Sequence, residues 1–101
     1  MRVVYTDQSL ESLEESLKFL LKVQKVPLEK ALEIRKQLLN RADGLIINPH
    51  MGQYEEYLMH LGKGHRRLVE GYFKIIYLIE DGLIFITDFF DTRQSPEKMK
   101  G

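Results

Sequence analysis

Hydrophobic positions change their spacing along this chain, and each change marks a change of element. Residues 1–5 hold a short β-branched and aromatic run, Val3, Val4 and Tyr5, that reads as a first strand. Thr6 to Ser9 offer helix N-caps, with Asp7 or Ser9 placed to accept from the free amides of a first turn. Leu10, Leu13, Leu17, Leu20 and Leu21 then recur at helical spacing, opposite Glu11, Glu14, Glu15 and Lys18. That pattern predicts an amphipathic helix ending near Val26. Pro27 suits the first position of a second helix, where its missing N–H costs nothing. Leu28, Ala31, Leu32, Leu38, Leu39, Ala42, Leu45 and Ile46 carry the apolar stripe onward, interrupted by Gly44, and Asn48-Pro49 ends it. With almost no loop between them, the two helices are expected to form an antiparallel hairpin.

Beyond Pro49 the period shortens. Residues 50–62 are compatible with either a helical turn or an extended strap, because Tyr54, Tyr57, Leu58 and Leu61 fit both. Arg66 to Glu70 reads as a strand, Gly71 allows a turn, and Phe73–Glu80 is an aromatic and β-branched strand. Asp81-Gly82 is a strong hairpin signal, since its turn type requires positive φ at both positions. Residues 83–90 return antiparallel, and the polar tail from Thr92 to Gly101 is expected to fray. The order strand, helix, helix and a three-strand antiparallel meander predicts an α+β domain of two layers. The first strand must join the later ones edge to edge, because a lone strand leaves its backbone groups unpaired.

Composition narrows this reading. With 101 residues and 44% apolar side chains, the chain (1–101) is long enough for one core and too short for two. No apolar run approaches the ~18 residues of a membrane span, and the first residues lack the pattern of a signal peptide. Without cysteine there is no disulfide framework or thiolate metal site, and a cytoplasmic location is the expectation. Fifteen basic and 15 acidic side chains cancel, which argues against binding polyanions by bulk charge. Their distribution is uneven, however. His60, Lys63, His65, Arg66, Arg67 and Lys74 fall close together, relieved only by Glu70, and a local patch can focus a field on an anion.

Strong catalytic signatures are absent: there is no phosphate-cradling loop, no GxSxG elbow and no HExxH pair. His50, His60 and His65 lack the spacing of metal ligands, so neither a metal nor a cofactor is expected. Strand alternation puts His65 and Arg67 on one face, with Arg66 and Leu68 on the other. Lys74 on the next strand and Arg93 beyond the last are expected to join His65 and Arg67 in one patch. Such a patch can clamp a phosphate and stabilise charge developing on it, with Lys63 and Arg66 as further phosphate or nucleic-acid contacts. Solubilising charges on the open face of a one-sided sheet would read the same way.

The order HRRL, GYFKIIY, a DG hairpin and DFFDTRQSP resembles the C-terminal half of the RelE/ParE toxin family, in the branch labelled plasmid stabilisation toxins. The first strand and the helical pair resemble it too, so the likeness covers nearly the whole chain. The resemblance implies a toxin of a type II toxin–antitoxin pair. RelE-like members cut mRNA on the ribosome with basic residues, and His65, Arg67, Lys74 and Arg93 stand at the corresponding positions. ParE-like members lack most such residues and inhibit DNA gyrase instead. No tyrosine follows Tyr77, although RelE-like toxins carry one near the C-terminus; Met99 stands near that place. The favoured expectation is a metal-independent mRNA endonuclease, with a gyrase inhibitor or an inactive interaction module as alternatives. The partners implied are a cognate antitoxin and the ribosome with its mRNA, in place of which the alternative puts DNA gyrase. The resemblance further implies a homodimer or a toxin–antitoxin heterotetramer, and no membrane.

Overall fold

A computed structural model describes every residue from Met1 to Gly101. The chain runs through strand β1 (Arg2–Tyr5), helices α1 (Asp7–Lys22) and α2 (Leu28–Asp43), and strands β2 (Gln53–Tyr54), β3 (Arg66–Glu70), β4 (Phe73–Glu80) and β5 (Leu83–Asp91). The α+β class and the edgewise joining of the first strand are as expected. The sheet itself differs from a three-strand meander. It is five-stranded and mixed, in the order β1-β5-β4-β3-β2, with β1 parallel to β5 and the other pairs antiparallel. No helix is long and apolar enough to cross a membrane.

Thr6, rather than Asp7 or Ser9, caps α1. Its hydroxyl oxygen accepts from the Ser9 N–H (3.2 Å) while donating to the Ile86 carbonyl (2.7 Å), so one side chain joins strand, helix and sheet. The helix stops at Lys22, four residues short of Val26. Lys25 takes a left-handed φ of 56°, and Pro27 occupies the cap of α2 instead of its first turn. Ser9, Ser12 and Ser16 are buried beside Leu13, Leu17 and Leu20, and these small hydroxyl residues bring α1 close to β5.

Both hairpins follow from their turn residues. Asp81 and Gly82 take φ values of 52° and 73°, the pair of positive angles that turn requires. Gly71 takes 58° at the first position of the two-residue link between β3 and β4. Between Ile76 and Tyr77 the β4–β5 register slips, since Tyr77 pairs with Ile86 but Ile76 with Asp88. Thr87 is the extra residue of a bulge, and it switches the face of every side chain after it. Ile86 and Phe89 therefore point the same way despite their odd separation.

That way is toward the helices. Fourteen buried residues form the main core there, among them Leu13, Leu38, Leu68, Phe73, Ile75, Tyr77, Ile84, Ile86 and Phe89. On the opposite face Leu58, Ile76, Phe90 and Met99 form a second, four-residue cluster. The expected one-sided sheet is thus covered on both sides. Residues 50–62 supply part of the second cover, combining both conformations left open by sequence: the short strand β2 and a 3₁₀ helix over Glu56–Leu61. The tail supplies the rest. Instead of fraying, it forms a 3₁₀ turn at Pro96–Lys98 and then buries Met99. An apolar side chain three residues past Pro96 has a hydrophobic site to fill, and that outweighs the polar composition around it.

Candidate functional site

Alternation along β3 holds as expected, and it sends its two arginines to opposite faces. Arg66 lies on the helix side, next to Tyr77 in register. Its guanidinium donates to the carbonyls of Gly52 (2.7 Å) and His50 (3.2 Å), reaches the Tyr54 hydroxyl (3.1 Å) and stacks over the Tyr54 ring at 4.3 Å. Arg67, on the other face, donates to the Tyr54 carbonyl (2.6 Å) and to the Gln53 side chain (3.1 Å). The two arginines grip the two-residue strand β2 from above and below. A strand this short has too few ladder bonds to hold itself in register, so these charge-assisted bonds hold it.

Tyr77 completes the anchor. Its buried hydroxyl accepts from the Gly52 N–H (2.9 Å) and donates to the Pro49 carbonyl (2.8 Å). Burial pushes its pKa up, opposed by the Gly52 N–H and the Arg66 charge. Gly52 must be glycine, because a Cβ there would lie 2.6 Å from the Tyr77 hydroxyl and 2.7 Å from the Arg67 carbonyl.

Glu55 is the residue that sequence reasoning missed. It is 2% exposed, and Oε1 accepts from Lys74 Nζ at 2.8 Å and lies 3.8 Å from Arg67 Nη1. Oε2 accepts from the Tyr57 N–H (3.1 Å), which starts the 3₁₀ helix. A buried carboxylate persists only when paired and hydrogen-bonded, and here both conditions are met. Glu55 stands beside a second acid, Glu56, and nothing local singles it out, because its partners lie 12 and 19 residues ahead in the chain.

His65 is on the same face as Arg67 and Lys74, and it too is 2% exposed. Neither ring nitrogen has a hydrogen-bond partner. Burial and the nearby Lys63 charge both hold its pKa below the ordinary histidine value. Gly101 lies against the ring, so tightly that a Cβ there would sit 3.0 Å from Nε2 and 2.5 Å from the Leu61 side chain. Lys63 is exposed and makes no ion pair.

Arg93 does not join them. Asp91 pairs with Phe73 in register and so faces the helix side, and it holds Arg93 bidentately at 2.9 and 2.7 Å. Arg93 also donates to Gln24 in the loop after α1 (2.9 Å) and stacks over Tyr72 at 4.7 Å. Burial alone would push the Asp91 carboxyl up, but the Arg93 guanidinium and backbone N–H outweigh it and hold it below the usual range. The Arg93 pKa is raised in turn, chiefly by that hydrogen bond. The expected patch of His65, Arg67, Lys74 and Arg93 is therefore split. The physical reason is the Thr87 bulge: without its extra residue, Asp91 would fall on the Lys74 face.

The structure thus brings Arg67 and Lys74 together around Glu55 with His65 nearby, and leaves Arg66 and Arg93 on the far side of the sheet. No three histidine, aspartate or glutamate side chains converge to hold a metal ion. A cavity of about 760 Å³ lies beside the half of β5 that β1 does not cover, lined by Ser12, Ser16, Asp88, Asp91, Arg93 and Lys100 among others. No family model matches the chain, and no curated protein matches it either.

Proposed function

We propose that this protein is the toxin of a type II toxin–antitoxin pair, a RelE/ParE-like domain that acts by binding a protein target. DNA gyrase is the target the resemblance implies, and a cognate antitoxin the partner. The ordered motifs described above and the layout of strand, helical pair and sheet support the family. One observation carries the choice of mechanism. Arg66, Arg67, Lys74 and Arg93 are all engaged within the molecule, by carbonyls, Glu55 or Asp91, and lie on two faces of the sheet. A phosphoryl clamp needs cations aimed at one point and available to the ligand. Expression in a bacterial host tests this directly: growth arrest with a DNA-damage response and intact transcripts is expected. Transcripts cut within ribosome-bound codons would overturn it.

A second reading, the ribosome-dependent mRNA endonuclease, has its own observation. Glu55, Arg67, Lys74 and His65 share one face, so an acid–base group and two cations are already adjacent. In that case Glu55→Gln would abolish transcript cutting, with Lys74 placed to neutralise charge on the phosphate.

A further inference from the structure

The tail is held onto the sheet by a small set of contacts that converge on one histidine. Met99 fills the second cluster between Leu58, Ile76 and Phe90. The Lys100 N–H donates to the Asp88 carboxylate at 2.9 Å, and the Thr87 hydroxyl donates to the Lys100 carbonyl at 3.3 Å. Gln8, from the first turn of α1, donates to the Gly101 carbonyl at 3.1 Å. Beneath these residues lies His65, with no partner for either nitrogen. Buried polar groups are ordinarily satisfied, so a buried ring with no protein partner for either nitrogen is a feature to account for.

We propose that residues 95–101 form a pH-sensitive latch over the face that carries Glu55, Arg67 and Lys74, closed while His65 is neutral and released when His65 is protonated. The proposal stands whether or not the toxin reading does. With the tail down, an imidazolium would be a buried charge with two donors that no protein group accepts. With the tail lifted, the ring meets solvent and titrates normally.

The sign follows. The closed state disfavours the charged form of His65, and its lowered pKa agrees with that. Closure is therefore complete above the ordinary histidine pKa of ~6.5 and is lost as pH falls below it. The charged and titratable groups placed near the ring are Lys63 before it, Arg67 further along the same face, Glu55, whose N–H donates to the His65 carbonyl (2.9 Å), and Lys100 with Asp88 at the tail. The Glu55 carboxylate is itself taken up by Lys74 and Arg67. None bonds to the ring, and Lys63 adds to the cost of protonation. Asp88 works in the opposite sense. Burial raises its pKa against the Lys100 N–H and the Ser12 hydroxyl, so the closed state binds that proton more tightly, and its titration cannot produce acid release.

Hydrogen exchange at the Lys100 amide, normalised to the intrinsic rate, reads the latch on the full chain. A histidine that can charge only in the open state lowers protection about tenfold between about pH 7.5 and about 5.5. His65→Phe keeps an apolar ring in place and should leave protection flat over that range, whereas Asp88→Asn should retain the acid release. Equal acid loss in the native chain and His65→Phe would overturn the proposal. In case that variant fails to fold, the ring protons of His65 report independently in the native chain. They should titrate below the ordinary value as Lys100 protection falls, and a ring titrating at ~6.5 with the tail still protected sinks the idea.

Discussion

The two faces of the sheet are held in different ways. On the helix side a continuous apolar stripe from two helices meets Leu68, Phe73, Ile75, Ile84, Ile86 and Phe89, and buried apolar area does most to hold the layers together, with a few polar ties such as Thr6 on the Ile86 carbonyl. On the other side the cover comes from residues 50–62 and the tail, which contribute only Leu58 and Met99 to the cluster there. Those segments are tied down by polar clips instead: Arg66 and Arg67 on β2, Glu55 on Lys74, Tyr77 on Gly52 and Pro49, and Asp88 on Lys100. A long amphipathic helix can bury enough surface to stay down unaided. A strand of two residues or a segment that buries only Met99 cannot, so directional bonds replace area.

Substitutions on the two faces should therefore fail differently. Ile75→Ala opens a cavity in the main core and should cost about 4 kcal/mol of global stability, measured as a shifted denaturant midpoint with unchanged slope. Lys74→Met leaves Glu55 buried with only the more distant Arg67, and should cost about 2–3 kcal/mol because a buried charge loses its close partner. Hydrogen exchange should show that loss first in residues 53–61, while the helix-side amides stay protected. If both variants unfold the chain as one unit, the distinction between the faces fails.

Tyr77→Phe sharpens the contrast, since its ring lies in the main core while its hydroxyl serves the strap. Losing that bridge between Pro49 and Gly52 should cost about 1–2 kcal/mol, with faster exchange confined to residues 49–54. The smallest effect is expected from Arg93→Ala. That side chain is over a third exposed, so its pair with Asp91 should contribute under ~1 kcal/mol. Its signature is in pH. Arg93 holds the Asp91 carboxyl low, so the stability it adds is present above the unfolded aspartate value of ~3.9 and lost as pH falls through the native value. The variant should show a flatter acid limb in pH-dependent melts, and an unchanged limb would mean that the pair contributes nothing.

Much of the local structure is legible because it depends on neighbours in the chain. The two helices, the three long strands and both tight turns follow from periodicity and from glycine or aspartate at fixed places. The faces of His65, Arg66 and Arg67 also follow, since alternation within one strand is local. Arg93 could not be placed in that way. Its side of the sheet depends on parity, and one extra residue at Thr87 reverses the parity of everything after it. Glu55 was invisible for a related reason: nothing in residues 50–62 says which cation the carboxylate will meet.

What the chain determines by itself is the set of pieces: an amphipathic helical pair, a hairpin with its DG turn, and a basic stretch entering a sheet. Tertiary structure alone decided that the two arginines of that stretch would be engaged from within, that the tail would lie across the second face, and that His65 would be shut beneath it. The reason is one of range. Periodicity and turn chemistry act over a few residues, whereas the partner of a buried charge or of an apolar tail residue is settled only when distant strands close into register.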